Sequence, residues 1–191
     1  MVSVPIYPES DYVLIPRHSS ETRRYIPLTY FSPEYIVGDS CLFLPDAAHY
    51  HFGVLSSAMH MAWVRQVCGR LKSDFRYSAK LVYNNFPWPE ALSTKRRAAV
   101  EKAVRCILDA REEFLPPKGE STLAVLYDPV SMPAKLVKAH HALDRAVDRC
   151  YRPQSFANER HRVEYLFALY EKLTAPLTQL SQFEAKTRVS P

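Results

Sequence analysis

Prolines set the first limit on this fold. Eight of the fifteen fall within residues 1–89, and a proline neither donates to a β-ladder nor continues a helix. The apolar runs between them are short: Tyr12–Ile15 before Pro16, Tyr25–Ile26 and Leu28–Phe31 around Pro27, and Cys41–Leu44 before Pro45. Such runs predict brief strands joined by turns, Gly38-Asp39-Ser40 being one turn. One stretch escapes this pattern. Gly53 and Gly69 frame VLSSAMHMAWVRQVC, which has no internal Gly or Pro and two apolar rows at helical spacing. It predicts one helix buried on more than one side, with Gly69 in the left-handed conformation that ends helices.

Beyond Pro87 and Pro89 the pattern becomes helical. Thr94 caps a predicted helix to about Phe114, Pro116-Pro117-Lys118-Gly119 breaks the chain, and Leu123–Tyr127 is a short apolar piece. Pro133 starts a helix to about Tyr151 that carries Leu136, His140, Leu143, Val147 and Cys150 on one face, and a last helix spans about 157–173. The expectation is an α+β chain: a small β-rich domain with one buried central helix over residues 1–90, then an all-α helical domain over 91–191, with Pro-Trp-Pro-Glu as the seam.

Net charge is +5 with a pI of about 9.0, a balance compatible with nucleic acid. Residues 1–89 hold 8 Lys+Arg and 7 Asp+Glu, and the remainder holds 17 and 13, so the net charges are +1 and +4. A phosphate-gripping surface should therefore draw partly on the C-terminal half. The four cysteines are scattered without metal-type spacing, as expected for thiols in a reducing cytoplasm. No signal peptide and no membrane span are expected.

The segment Gly69–Pro89 is the richest in polar chemistry. Read as a strand, it puts Lys72, Asp74 and Arg76 on one face and Leu71, Phe75 and Tyr77, with Ser73, on the other. Lys and Arg donate to guanine, and Asp accepts from the cytosine amino group, so one row could read both bases of a G·C pair. A solvated strand face has the same alternation. In the polar loop that follows Pro16, Arg17, Ser19, Ser20, Arg23 and Arg24 are candidate phosphate donors, as are Arg70 and Lys80.

Catalytic readings find little support. The four glycines are too dispersed for a nucleotide-binding loop. Asn84-Asn85-Phe86-Pro87-Trp88 has the wrong order for the polar-Pro-Pro-aromatic motif of amino-methyltransferases. Ser56-Ser57 lacks a nucleophile elbow, and His49, His51, His60, His140 and His141 read as structural or surface residues. No catalytic or metal-ligating residue is expected.

The segments FGVLSSAMHMAWVRQVCGRLKSDFRYSAKLVYNNFPWP, PRHSSETRRYIPL, LAVLYDPVSMPAKLVKAHHALDRAVDRCY and RHRVEYLFALYEKL carry a family pattern. Over about residues 10–175 the chain resembles the target-recognition and closing helical regions of the Type IIL, MmeI-like restriction–modification enzymes. In that family one polypeptide joins a nuclease, an adenine-N6 methyltransferase using S-adenosylmethionine, and a target-recognition domain. The resemblance implies a C-terminal portion of such a protein, non-catalytic by itself, with no cofactor here and S-adenosylmethionine in the missing domain. It implies double-stranded DNA and the methyltransferase domain of the same polypeptide as partners, a cytoplasmic setting and a role in bacterial defence. It also implies that Lys72 and Asp74 read one G·C pair, that Arg76 reads or orients an adjacent base, and that Asp39 and Ser40 are upstream base readers. The alternative is a protein–protein docking module of a methyltransferase complex. A stand-alone enzyme has no support in the sequence.

Overall fold

One strand path feeds two small antiparallel sheets. The structure, a computed structural model, describes residues 8–90 and 92–187, with side chains to residue 175. The strands are β1 (Tyr12–Pro16), β2 (His18–Ser19), β3 (Thr29–Phe31), β4 (Cys41–Pro45), β5 (Gly69–Leu71) and β6 (Asp74–Arg76). The sheets run β3-β1-β4 and β2-β6-β5. In the first, Val13 sits opposite Tyr30 on one side and Leu44 on the other. The chain changes sheet at Arg17. Its N–H donates to Ser40 C=O at 2.9 Å, and its C=O accepts from Tyr77 N–H at 2.7 Å.

The buried helix comes in two pieces, α1 (His49–Leu55) and α2 (Ala58–Val67), where the sequence suggests one. Ser57 is the reason. It adopts an extended backbone, its Oγ accepts from His60 N–H, and the hydroxyl donates to Val54 C=O at 2.7 Å. A short hydroxyl side chain that satisfies one helix end and caps the next favours a break. The flanking glycines also differ from expectation. Gly69 opens β5 without a positive φ. Gly53 lies inside α1, where a Cβ would stand 2.6 Å from Val100 and 2.7 Å from Val104. Only a hydrogen fits, and α1 therefore packs tightly against the helical half.

That half contains α3 (Thr94–Glu112), α4 (Leu123–Leu126), α5 (Ala134–Tyr151) and α6 (Glu159–Thr187). Ser93, not Thr94, caps α3, accepting from Arg96 N–H, and Thr122 caps α4. The row Leu136, His140, Leu143, Val147 and Cys150 on α5 is buried as its spacing predicts. A π-helical turn, Ala79–Tyr83, leads into the seam. There Trp63 Nε1 donates to Val82 C=O and Tyr151 OH donates to Pro87 C=O. Apolar packing is continuous across the seam, from Val13 to Leu166.

A buried polar chain ties the two halves together. Asp144 on α5 accepts from Tyr25 OH and from Ala58 N–H, both at 2.7 Å. The Tyr25 ring stacks on His140 with centroids 4.0 Å apart, and His140 Nε2 bonds Tyr127 OH at 2.7 Å. Tyr127 OH in turn takes Arg111 Nε at 2.8 Å, while Arg111 Nη1 reaches Leu28 C=O at 2.7 Å. Burial, with Arg111 nearby, holds the His140 imidazole well below its ordinary value. Burial alone pushes His60, bonded to Tyr77 OH at 2.9 Å, down to about 3. Burial also raises the Asp144 carboxyl, against its two donors.

Two outcomes follow for stability. Gly53→Ala overpacks the α1–α3 contact and should cost about 1–3 kcal/mol in denaturant unfolding. Both histidines bind their protons more weakly in the folded state than in the unfolded chain. Their contribution is complete above about pH 6.5 and is lost as pH falls below it, for His60 down to about 3, each adding at most about 1.4 kcal/mol per pH unit to the slope. Unfolding titrated over that range should show stability falling with acid.

Candidate nucleic-acid interface

The stretch from Gly69 to Arg76 is a hairpin, and this corrects the single-strand reading. β5 pairs antiparallel with β6, Gly69 opposite Arg76, Arg70 opposite Phe75 and Leu71 opposite Asp74. Lys72 and Ser73 form the two-residue turn, with Lys72 at φ 55°. Two-residue hairpin turns need a positive φ to match strand twist, and Asn or Gly usually supplies it. Here a lysine does, so nothing in the residue types announces the reversal. Lys72 stands at the hairpin tip rather than in a strand row. Leu71, expected on the apolar face, is 52% exposed and shares the face of Asp74. The alternation holds within β6, where Asp74 and Arg76 are exposed on either side of buried Phe75.

Beside this hairpin lies an open cleft of about 740 Å³. Six residues singled out in the sequence line it: Arg17, Asp39, Ser40, Arg70, Arg76 and Lys80. They come from distant positions and meet for topological reasons. The β1–β4 pairing brings Pro16 opposite Cys41, which sets the turn at Asp39-Ser40 beside Arg17. The β2–β6 pairing brings His18 opposite Arg76. The π-helical turn presents Lys80 and exposed Leu81. Four cations and one carboxylate on one concave wall offer donors to phosphate oxygens and to base edges.

Arg70 is held in place. Its guanidinium lies 4.1 Å over the Phe75 ring, donates to Ser73 C=O at 2.9 Å and stands 3.6 Å from Glu21. Glu21 N–H donates to Asp74 Oδ1 at 3.3 Å, which straps the Ser20–Arg24 loop to the hairpin. The remaining candidates lie elsewhere. Ser19 is buried opposite Phe75. Ser20 Oγ is bonded to Thr22, and Arg23 reaches Ala124 C=O on α4, while Arg24 is exposed. The cleft also contains His18, Leu42, Tyr77, Ser78, Ala79 and Leu81. Of these, His18 could have been found by extending the period-two reading past Pro16. No group of three or more His, Cys, Asp or Glu among the described residues is placed to hold a metal ion.

Comparison with known proteins places this geometry. Residues 3–90 match the model of the MmeI target recognition domain, and residues 92–178 match that of the MmeI C-terminal domain. The chain belongs to the MmeI family. It is 46% identical over 162 residues to DNA methyltransferase A of Bacillus subtilis (strain 168), covering 85% of this chain and 18% of that protein. A solved structure of the Type IIL restriction–modification enzyme MmeI in complex with DNA superposes with a TM-score of 0.83 at 44% identity, covering 89% of this chain and 22% of that one. The chain thus spans about a fifth of the length of these relatives. The hairpin and the cleft lie in the part that matches the target recognition domain.

Packing and surface roles separate cleanly along β6. Phe75→Ala should lower the unfolding free energy by about 3–5 kcal/mol. Arg76→Gln should change it by less than about 0.5 kcal/mol. Denaturant unfolding of the two variants checks both values.

Proposed function

We propose that this chain is the DNA target-recognition portion of an adenine-N6 DNA methyltransferase of the restriction–modification type. One observation carries the proposal: a single cleft, within the region matching the target recognition domain, collects Arg17, Asp39, Ser40, Arg70, Arg76 and Lys80. The exposed hairpin carrying Lys72, Asp74 and Arg76 enters the major groove. Lys72 donates to guanine, Asp74 accepts from the paired cytosine, and Arg76 addresses the neighbouring base pair from the cleft wall. Arg17, Arg70 and Lys80 contact backbone phosphates and fix the register.

Methyl transfer belongs to the rest of the polypeptide. S-adenosylmethionine binds there too in this reading, since the four glycines of this chain are too dispersed for a nucleotide-binding loop. No helix among the described residues is long and apolar enough to cross a membrane, and the parent protein works on DNA in the cytoplasm. The docking-module reading calls for apolar surface on the C-terminal helices. Among the described residues the exposed large hydrophobics are divided between the two halves, Tyr35, Ile36, Leu71 and Leu81 in the first and Val125, Val130, Phe167 and Leu173 in the second.

The test is an exchange of charge at the hairpin. Selection of bound duplexes from a random-sequence pool, with Lys72→Glu combined with Asp74→Arg, should invert the preference at one base pair. Each good bidentate contact supplies about 1–3 kcal/mol of discrimination. An unchanged enriched sequence would remove these residues as base readers.

A further inference from the structure

The C-terminal half carries most of the net positive charge, +4 of +5, and the recognition cleft uses none of it. The structure collects part of that charge in a second groove, of about 460 Å³, between α3 and α5. Lys95 and Arg96 stand on the α3 side, and Arg145 and Arg149 on the α5 side. No carboxylate lines it. Its floor is small: Ala99, Ala142 and Ala146 leave the space between the cationic walls open. Among the described residues, none of the four cations is in an ion pair, whereas neighbours on the same helices are, Arg97 with Glu101 and Lys135 with Glu113.

Arg145 also lines an adjoining hollow that contains Lys138 and His141. Lys138, Arg145 and Arg149 follow helical spacing along one face of α5. At 1.5 Å per residue this face extends about 16 Å. Over that distance one strand of duplex DNA presents about five phosphates. The groove also ends beside the recognition half. Tyr151, two residues beyond Arg149, donates from its hydroxyl to Pro87 C=O at 3.0 Å. Pro87 is in the seam that follows the turn bearing Lys80.

We propose that the α3–α5 groove grips the phosphate backbone of duplex DNA flanking the recognised sequence. Lys95, Arg96, Arg145 and Arg149 donate to phosphate oxygens, and Lys138 extends the contact along the strand. An unpaired cationic line with no facing carboxylate complements a regular polyanion, and such contacts add affinity without sequence preference. This inference rests on the proposed DNA recognition, but its test separates the two.

The 191-residue chain and its Arg145→Gln/Arg149→Gln variant would be titrated with a random-sequence 40-base-pair duplex pool at several salt concentrations, and the bound sequences read out. Loss of two phosphate contacts should flatten the slope of log affinity against log salt by about 2. It should also weaken binding about 30-fold at 0.15 M salt, with the enriched sequence and the melting temperature unchanged. An unchanged slope overturns the inference. So does a polyglutamate peptide that binds the parent chain but not the variant while duplex affinity stays at the parent level, because the groove then serves an acidic protein. If the parent chain enriches no sequence but the slope still falls, the recognition proposal fails and the groove assignment stands.

Discussion

A buried carboxylate joins the strand-rich half of the chain to its helices. Asp144 accepts from two donors, the Tyr25 hydroxyl and the first amide of α2. In a medium of low polarity such bonds are strong when complete and costly when one member is missing. His140, Tyr127 and Arg111 continue the chain to Leu28. The recognition loop ends at Tyr25, so its path is set by α5, more than a hundred residues away. The helical region is therefore part of what positions the residues beside the cleft, and deleting it would unfasten the loop as well as uncover the core.

What could be read from the sequence follows the range of each signal. The strands before Pro16 and Pro45 were legible because proline acts on its own position. The buried row of α5 was legible because five residues repeat at helical spacing. The hairpin was not, since Lys72-Ser73 contains neither Gly nor Asn and the apolar alternation runs straight through it. The break between α1 and α2 was hidden for a similar reason: two serines in an apolar run resemble a helix face until Ser57 turns back to Val54. Gly53 looked like a boundary and is instead a contact point, because local sequence does not show that Val100 lies against it.

The cleft was legible as a set of residues but not as a place. Arg17, Ser40, Arg76 and Lys80 were each singled out by residue type or by family resemblance, and only strand pairing brings them together. Ser19 shows the converse: the right chemistry for a phosphate, buried opposite Phe75. Residue type names a donor, and sheet register decides whether the donor meets solvent.

The arrangement of β6 also bears on how this protein changes over generations. Of its two outward residues, Asp74 accepts one amide of the neighbouring loop and Arg76 stands on the cleft wall, while the inward phenylalanine anchors the ribbon and supports Arg70. Replacements at the tip and along the outer face fall where substitutions cost little stability. A lineage can therefore try new combinations there one at a time, each still folded. The surface chemistry of the tip can change in small steps, with no need to rebuild the frame that holds it.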